Sequence, residues 1–321
     1  MANTAASAKP MILQNAKGFR RFFLNFKKNW PLHLMMLLPM IYMILFEFLP
    51  MYGLQIAFKD YRAKDGIWGS DFVGLEHFER FFSNYRWKQY VGNTVKISLY
   101  SIAAGFPVPI ILALFLHLCE FNWLKKLTQN VSYIPHFIST VVFVGILNQV
   151  FNPFTGMLVN FYELFGVTEV SDIRSNPDAF IHLYVWSGVW QGMGWSTIMY
   201  VASLSGVSME LHEAAKIDGA SRFRRIFAVD LPAIVPIICI QLVLRFGSVM
   251  SVGYEKVFLM QNNLNISESE VISTYIYKRM GKNDFSFGTA VSLMNSVINT
   301  SMVLLVNWFS NLISDREYGL F

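Results

Sequence analysis

Two constellations in the chain carry side chains fit for work beyond holding a fold. The first is Glu213-Ala214-Ala215-Lys216-Ile217-Asp218-Gly219, followed after nine residues by Val229-Asp230-Leu231-Pro232. Ser208 is a suitable N-cap for a helix here, with Glu210 and Glu213 in the first turns where the helix dipole favours acids. Gly219 supplies the left-handed residue that stops it. Ser221 then opens a second helix from Arg222 to Val229, whose Arg222, Arg224 and Arg225 suit lipid phosphates or acidic partner groups, and Pro232 ends the polar stretch. Ala214 and Ala215 have almost no side chain, so another protein's groove can close on this backbone. The plainer alternative is a surface hairpin between two membrane helices.

The second constellation is a set of polar groups inside apolar runs, where they are costly unless they face a cavity or a partner. Residues 180–205 hold Trp186, Gly188, Trp190, Gln191, Gly192, Trp195 and Tyr200. Helical spacing sets Gly188, Gln191, Gly192 and Trp195 on one face, and flat aromatic rings with amide hydrogen bonds suit a sugar and its hydroxyls. Against this stands a packing role for Gly188-x3-Gly192 and an interface-anchor role for the tryptophans. Residues 233–254 hold Arg245, with Gln241 and Ser248 on the same side. An arginine at that depth needs an anion, water or a carboxylate. Two readings follow: an internal ion pair with Glu47, the acid embedded in the first apolar run, or a translocation path on which Arg245 helps select an acidic or heavily hydroxylated sugar. Asn148, Gln149, Asn295 and Asn299 either line a pore or bond between helices, and Lys96 is expected to snorkel outward.

Catalytic chemistry has little support. His212-Glu213 has no second histidine four residues on, and Ser187 lacks the glycine two places before it that a nucleophile elbow requires. Gly281-Lys282 lacks both the earlier glycine and the following hydroxyl of a phosphate-binding loop. Cys119 and Cys239 are the two cysteines of the chain, each in or beside an apolar run, which argues against a disulfide framework or a four-ligand zinc site.

The elements that must position these residues follow from composition. With 54% hydrophobic and 15% charged residues in 321, the chain reads as a polytopic membrane protein. Six runs are long enough to cross a bilayer, at about 31–57, 91–117, 131–150, 180–205, 233–254 and 289–313. Pro39, Pro50, Pro107, Pro109 and Pro236 predict kinks or breaks. Residues 1–30 are polar and basic without the pattern of a removable signal peptide, and Ala16 to Trp30 fits an amphipathic surface helix. With the amino terminus inside, the inner segments hold thirteen Lys and Arg and the longer outer segments eleven, which favours both termini in the cytoplasm. The net charge of +5 reads as this orientation signal and not as nucleic-acid binding. The organisation is therefore a cytoplasmic tail at 1–30, a first span and outer loop at 31–90, a core at 91–313 with the polar loop at 208–232, and a cytoplasmic tail at 314–321. The outer loops, rich in aromatics such as Trp68, Phe72 and Phe81, are expected to be structured.

The pattern Glu-Ala-Ala-x3-Gly-x9-(Ile/Val)-x-Leu-Pro resembles the cytoplasmic coupling loop of the membrane subunits of ABC importers that work with a binding protein, with Val229 for the usual Ile. Gly194-Trp195-Ser196-Thr197, Gly253-Tyr254-Glu255-Lys256-Val257-Phe258, Val271-Ile272-Ser273-Thr274-Tyr275-Ile276-Tyr277, Met51-Tyr52-Gly53-Leu54 and Val73-Gly74-Leu75-Glu76-His77-Phe78 are similar to the polysaccharide and oligosaccharide subgroup of carbohydrate-uptake permeases. The resemblance covers about residues 30–321. It implies an all-α, six-helix subunit with the ABC type I importer permease fold, working in a bacterial cytoplasmic membrane. Its implied partners are a second related permease, two cytoplasmic ATPase subunits that bind ATP and Mg, an extracellular solute-binding lipoprotein or periplasmic binding protein, and an oligosaccharide. It assigns Glu213, Ala214, Ala215, Asp218, Gly219, Leu231 and Pro232 to ATPase coupling. In similar maltose-type permeases the sugar-contacting windows before and after the coupling glutamate correspond to Gly188–Trp195 and Arg245–Val252, hence Gly188, Gln191, Trp195, Arg245 and Ser248 here. A secondary transporter without an ATPase, or an ABC permease for a non-sugar solute, remains the competing expectation; the first usually shows inverted repeats and coupling-ion carboxylates.

Overall fold

The computed structural model describes residues 26–166 and 172–313. The expected amphipathic helix from Ala16 falls almost wholly outside them. The first apolar run forms α1 (Trp30–Met43), which continues through a π-helical turn at Ile44–Phe48 and a short helix Leu49–Met51 into a 3-10 helix, Tyr52–Phe58. A two-residue antiparallel ladder follows, β1 (Lys59–Asp60) against β2 (Asp71–Phe72), with Lys59 opposite Phe72. Among the described residues, this ladder is the departure from all-α structure. Helix α2 (Glu76–Phe82) leads into α3 (Trp87–Gly105) and α4 (Pro107–Leu118), which together make one long apolar helix of 32 residues.

The run at 131–150 is not one straight span. Helix α5 (Asn122–Tyr133) with its 3-10 extension to Phe137 meets α6 (Thr140–Val150) at 105°. Pro135 and the Ser139 cap cause the break: proline removes a backbone donor, and Ser139 Oγ restarts the helix by accepting from Val142 N. Helix α7 (Pro177–Ser205) has 29 residues, long enough to cross at about 1.5 Å per residue. Its glycines, tryptophans and glutamine keep it less apolar than the four helices long and apolar enough to span, or five if the bent pair is one span. Helix α8 (Met209–Ile217) is the short polar helix.

After it, the second helix does not end at Val229 as expected. The turn Arg222–Arg225, a π-helical turn Ile226–Asp230 and α9 (Leu231–Phe246) run on as one helix of 25 residues. Pro232 follows the π-helical turn, whose shifted backbone bonding lets the helix pass a residue without an N–H donor. The same device precedes Pro50. Helices α10 (Tyr254–Met260), α11 (Ile272–Met280) and α12 (Phe285–Ile313) complete the described chain.

Three apolar clusters hold these elements. Ile97, Phe143, Phe180, Val185, Val257 and Val271 join α3, α6, α7 and α10. Phe81, Tyr90, Met250, Tyr275 and Phe287 seat α2 and α11 on α3 and α12. Ala113, Tyr200, Leu204 and Ile234 join α4, α7 and α9 at the end nearest α8. Helix α1 has no buried residue and stands outside all three.

Candidate functional site

Helices α7 and α9 carry the polar groups, and both lead directly into the α8 region. Their side chains meet at Arg245. Three adjoining cavities of about 150, 170 and 230 Å³ all have Arg245 in their walls. Ser248 lines the first with Arg245, Trp195 lines the second, and Gly188, Gln191 and Gly192 line the third. All five residues singled out for a substrate path therefore surround one region of the chain.

Each has a distinct setting. Arg245 is exposed and donates from Nη2 to Ser196 Oγ at 3.3 Å. Its expected ion pair with Glu47 is not formed: among the described residues neither has an acid–base partner within 4.0 Å. Glu47 lies in the exposed π-helical turn after α1, and α1 packs on nothing that would bring it to α9. Gln191 Nε2 donates to the Ile138 carbonyl at 3.2 Å, a group freed by the bend between α5 and α6. The amide thus anchors that bend. Trp195 stacks on His136, with ring centroids 4.5 Å apart and planes 5° from parallel. Trp186 is turned aside, bonding Tyr100 Oη through its indole N–H at 2.9 Å.

The glycines resolve a choice that spacing left open. A Cβ on Gly192 would meet nothing within 4 Å, and one on Gly188 would meet only Lys256 Nζ at 3.2 Å. Gly192 faces open space and Gly188 the end of one flexible side chain, so Gly188-x3-Gly192 seats no neighbouring helix of this chain. Gly194 is the packing glycine: a Cβ there would collide with the Ser132 carbonyl and the Tyr133 ring.

Sequence reasoning missed Lys256. It follows the fifth apolar run at the start of α10, donates to the Tyr184 carbonyl at 3.0 Å and lies over the Tyr184 and Phe143 rings at 4.8 and 5.3 Å. It lines the same 230 Å³ cavity as Arg245, whose walls contain no acidic residue. Burial pushes its ammonium down to about 8, so it remains largely cationic at neutral pH. A lysine directly before the buried Val257 gives no sequence signal by itself; only the α10–α7 packing brings it inside. Asn299 ties α12 to the segment after α9, accepting from Met250 N and donating to Ser251 Oγ. Lys96 keeps an exposed side chain and pairs with Glu268 at 2.9 Å.

The α8 region forms as its residues dictate. Ser208 Oγ accepts from Glu210 N, and Ser221 Oγ accepts from Arg224 N. Gly219 adopts φ +77°, Ala220 N–H reaches Ala215 O at 2.9 Å and Gly219 N–H reaches Lys216 O at 3.1 Å. That pair of bonds is the Schellman closure, which the left-handed residue makes possible. Glu213, Ala214, Asp218, Gly219 and Pro232 are exposed, Ala215 and Leu231 partly so. Around them Ile217 is 86% and Phe223 67% exposed, leaving apolar surface beside the acids. Arg222 closes the region by pairing with Glu120 at 2.6 Å.

Comparison with known proteins gives this arrangement a context. The family described as "Binding-protein-dependent transport system inner membrane component" matches residues 105–316. The chain is 36% identical over 307 residues to the polygalacturonan/rhamnogalacturonan transport system permease protein YteP of Bacillus subtilis (strain 168), covering 95% of each. A bacterial alginate ABC transporter, solved in complex with an alginate pentasaccharide-bound periplasmic protein, contains a chain that superposes with a TM-score of 0.84 at 32% identity, covering 94% of this chain and 100% of that one. A further structure, of a bacterial ABC transporter involved in the import of the acidic polysaccharide alginate, matches with a TM-score of 0.83 at 32% identity over 92% of this chain and 99% of the other.

Proposed function

We propose, for a chain that belongs to the family of binding-protein-dependent transport system inner membrane components, that it is the permease subunit of an ATP-driven ABC importer and passes an acidic oligosaccharide through the bacterial cytoplasmic membrane. One observation carries the substrate class. Arg245 and Lys256 line one cavity whose walls hold no acid. Cations in a membrane protein's interior are costly without a counter-charge, and a carboxylated sugar supplies it through charge-assisted hydrogen bonds. Gly188 keeps the wall open beside Lys256, while Trp195 offers a ring face and Gln191 and Ser248 polar edges. The acidic polysaccharide named for the alginate importer agrees with this reading.

The work is divided among partners. A second, related permease completes the path, two cytoplasmic ATPase subunits hold ATP and Mg and do the hydrolysis, and a solute-binding lipoprotein or periplasmic protein delivers the sugar. Both termini and α8 face the cytoplasm. Closure of the ATPase pair moves α8, with Glu213, Ala214, Ala215, Asp218 and Gly219 as the docked surface and Leu231 and Pro232 at the foot of α9. Because α7 and α9 flank α8 and carry the cavity residues, its movement tilts the cavity walls. Arg245 lies fourteen residues beyond Leu231, about 21 Å along the helix, so a small rotation at the foot becomes a larger displacement at the cavity. ATP and the loaded binding protein must both favour the outward-open state, since a ligand with equal affinity for both states shifts neither.

The test is ATPase activity of the assembled complex in lipid nanodiscs, scanned with binding protein against acidic and neutral oligosaccharides. An acidic sugar is expected to stimulate hydrolysis, and Arg245→Ala in a still-assembled complex to lower that stimulation by about tenfold or more, the scale of one lost charge-assisted bond. Equal stimulation by neutral and acidic sugars overturns the substrate class. Failure of any ATPase subunit to co-purify overturns the importer reading in favour of a secondary transporter.

A further inference from the structure

His117, His212 and Asp230 come from three different elements and converge beneath α8. His117 lies in the last turn of α4, His212 on α8 beside Glu213, and Asp230 at the end of the π-helical turn that leads into α9. Asp230 Oδ1 lies 3.2 Å from His212 Nε2 and 3.5 Å from His117 Nε2. One donor atom from each residue falls within 4.8 Å of the other two. Asp230 is fully buried. Neither of its carboxylate oxygens has a hydrogen-bond partner, and neither does His212 Nε2, although they lie so close. A buried carboxylate without hydrogen bonds costs several kcal/mol unless a cation satisfies it.

The donor set and spacing select the cation. Two imidazole nitrogens and one carboxylate oxygen suit a first-row transition ion of the zinc class and disfavour calcium and magnesium, which take oxygen donors. Ligands about 2.0–2.1 Å from a tetrahedral zinc are about 3.3 Å from one another, which is the range of the two distances here. A fourth position is left for water. Cys119 is close in sequence but is directed elsewhere, its thiol 3.6 Å from the Phe121 carbonyl.

We propose that His117, His212 and Asp230 form a binding site for a zinc-class divalent cation that clamps α8 to the end of α4 and the foot of α9. The clamp makes the polar helix and two membrane helices move as one body. Nothing in the ion's binding depends on what the protein transports, so the site and the importer reading fail or stand separately.

The experiment uses the full chain co-purified with its partner subunits, without a histidine tag, stripped by chelator and titrated with Co²⁺ and Zn²⁺. The expected result is about one ion per chain retained after desalting. Visible d–d absorption of nitrogen- and oxygen-ligated cobalt should appear without a thiolate charge-transfer band, and Zn²⁺ should displace it. Asp230→Asn and His212→Gln should each weaken binding about 100-fold or more, beyond what loss of an outer partner costs, while His33→Gln on α1 changes nothing. Should Asp230→Asn fail to assemble, His117→Gln reports on the same site from another helix. A wild-type complex that retains no cobalt, or variants that bind as tightly as wild type, overturns the proposal.

Discussion

At the scale of single residues, the cavity is defined by what is small and what is charged. Gly194 and Gly192 are two positions apart and have opposite tasks: one lets α7 touch α5, the other leaves the cavity open. Gly194→Ala is expected to destabilise the chain by about 1–3 kcal/mol, the usual range for overpacking, while Gly192→Ala leaves stability unchanged. Thermal unfolding of the two variants in one detergent compares them directly. Lys256 allows a pH experiment. Its ammonium, pushed down by burial to about 8, is charged below that pH and neutral above it. Stimulation by an acidic sugar should therefore weaken as pH rises through about 8, and Lys256→Arg, whose guanidinium stays protonated, should flatten that part of the profile. An identical fall in both proteins would assign the effect to another group.

At the scale of elements, α8 is a self-contained cap-to-cap helix. Ser208 begins it and the Gly219 closure ends it, so its shape does not depend on a partner. Its exposed acids and apolar side chains are then free for docking. Glu213→Lys reverses a charge on an exposed residue and should abolish uptake and weaken association with the ATPase subunits, while the permease still elutes as a folded protein. Unchanged sugar-stimulated hydrolysis would remove α8 from the coupling role. Gly219→Val addresses the same helix from its end. At φ +77° a β-branched side chain is strained by about 1–2 kcal/mol, and amide exchange in α8 should accelerate accordingly. The two π-helical turns show a second element-scale device. Each precedes a proline, at Pro50 and Pro232, and lets a helix pass through a residue that would otherwise break it.

At the scale of the whole chain, three apolar clusters join α2, α3, α4, α6, α7 and α9 to α12, while α1 contributes none of its residues to them. The cavities at Arg245 are bounded by this single chain on one side, which suits a path completed by a second permease. Orientation is open to direct measurement. After replacing Cys119 and Cys239, a single cysteine at Ser221 should react with an impermeant thiol reagent only from the cytoplasmic side. A cysteine at Thr155, in the predicted outer loop, should react only from the other side. The opposite pattern would place α8 away from ATP and end the coupling argument.

The amino-acid sequence by itself determined the membrane class, the apolar runs and the α8 region, because these rest on local physics: hydropathy over about 20 residues, capping oxygens and a glycine that alone accepts a left-handed turn. It also pointed to Gly188, Gln191, Trp195, Arg245 and Ser248 through their polarity in apolar runs. Tertiary structure decided the rest. Glu47 and Arg245 lie in apolar runs and looked like partners, but α1 packs on no element that carries it to α9. The 131–150 run was apolar enough for a span, yet Pro135 and Ser139 break it, and the freed Ile138 carbonyl takes Gln191. Lys256 is one charge in a mixed segment until α10 packs against α7. His117, His212 and Asp230 are 95 and 18 residues apart along the chain, and no periodicity joins them. Local patterns record what a segment prefers. Which distant side chains share a cavity or a cation depends on how the helices pack.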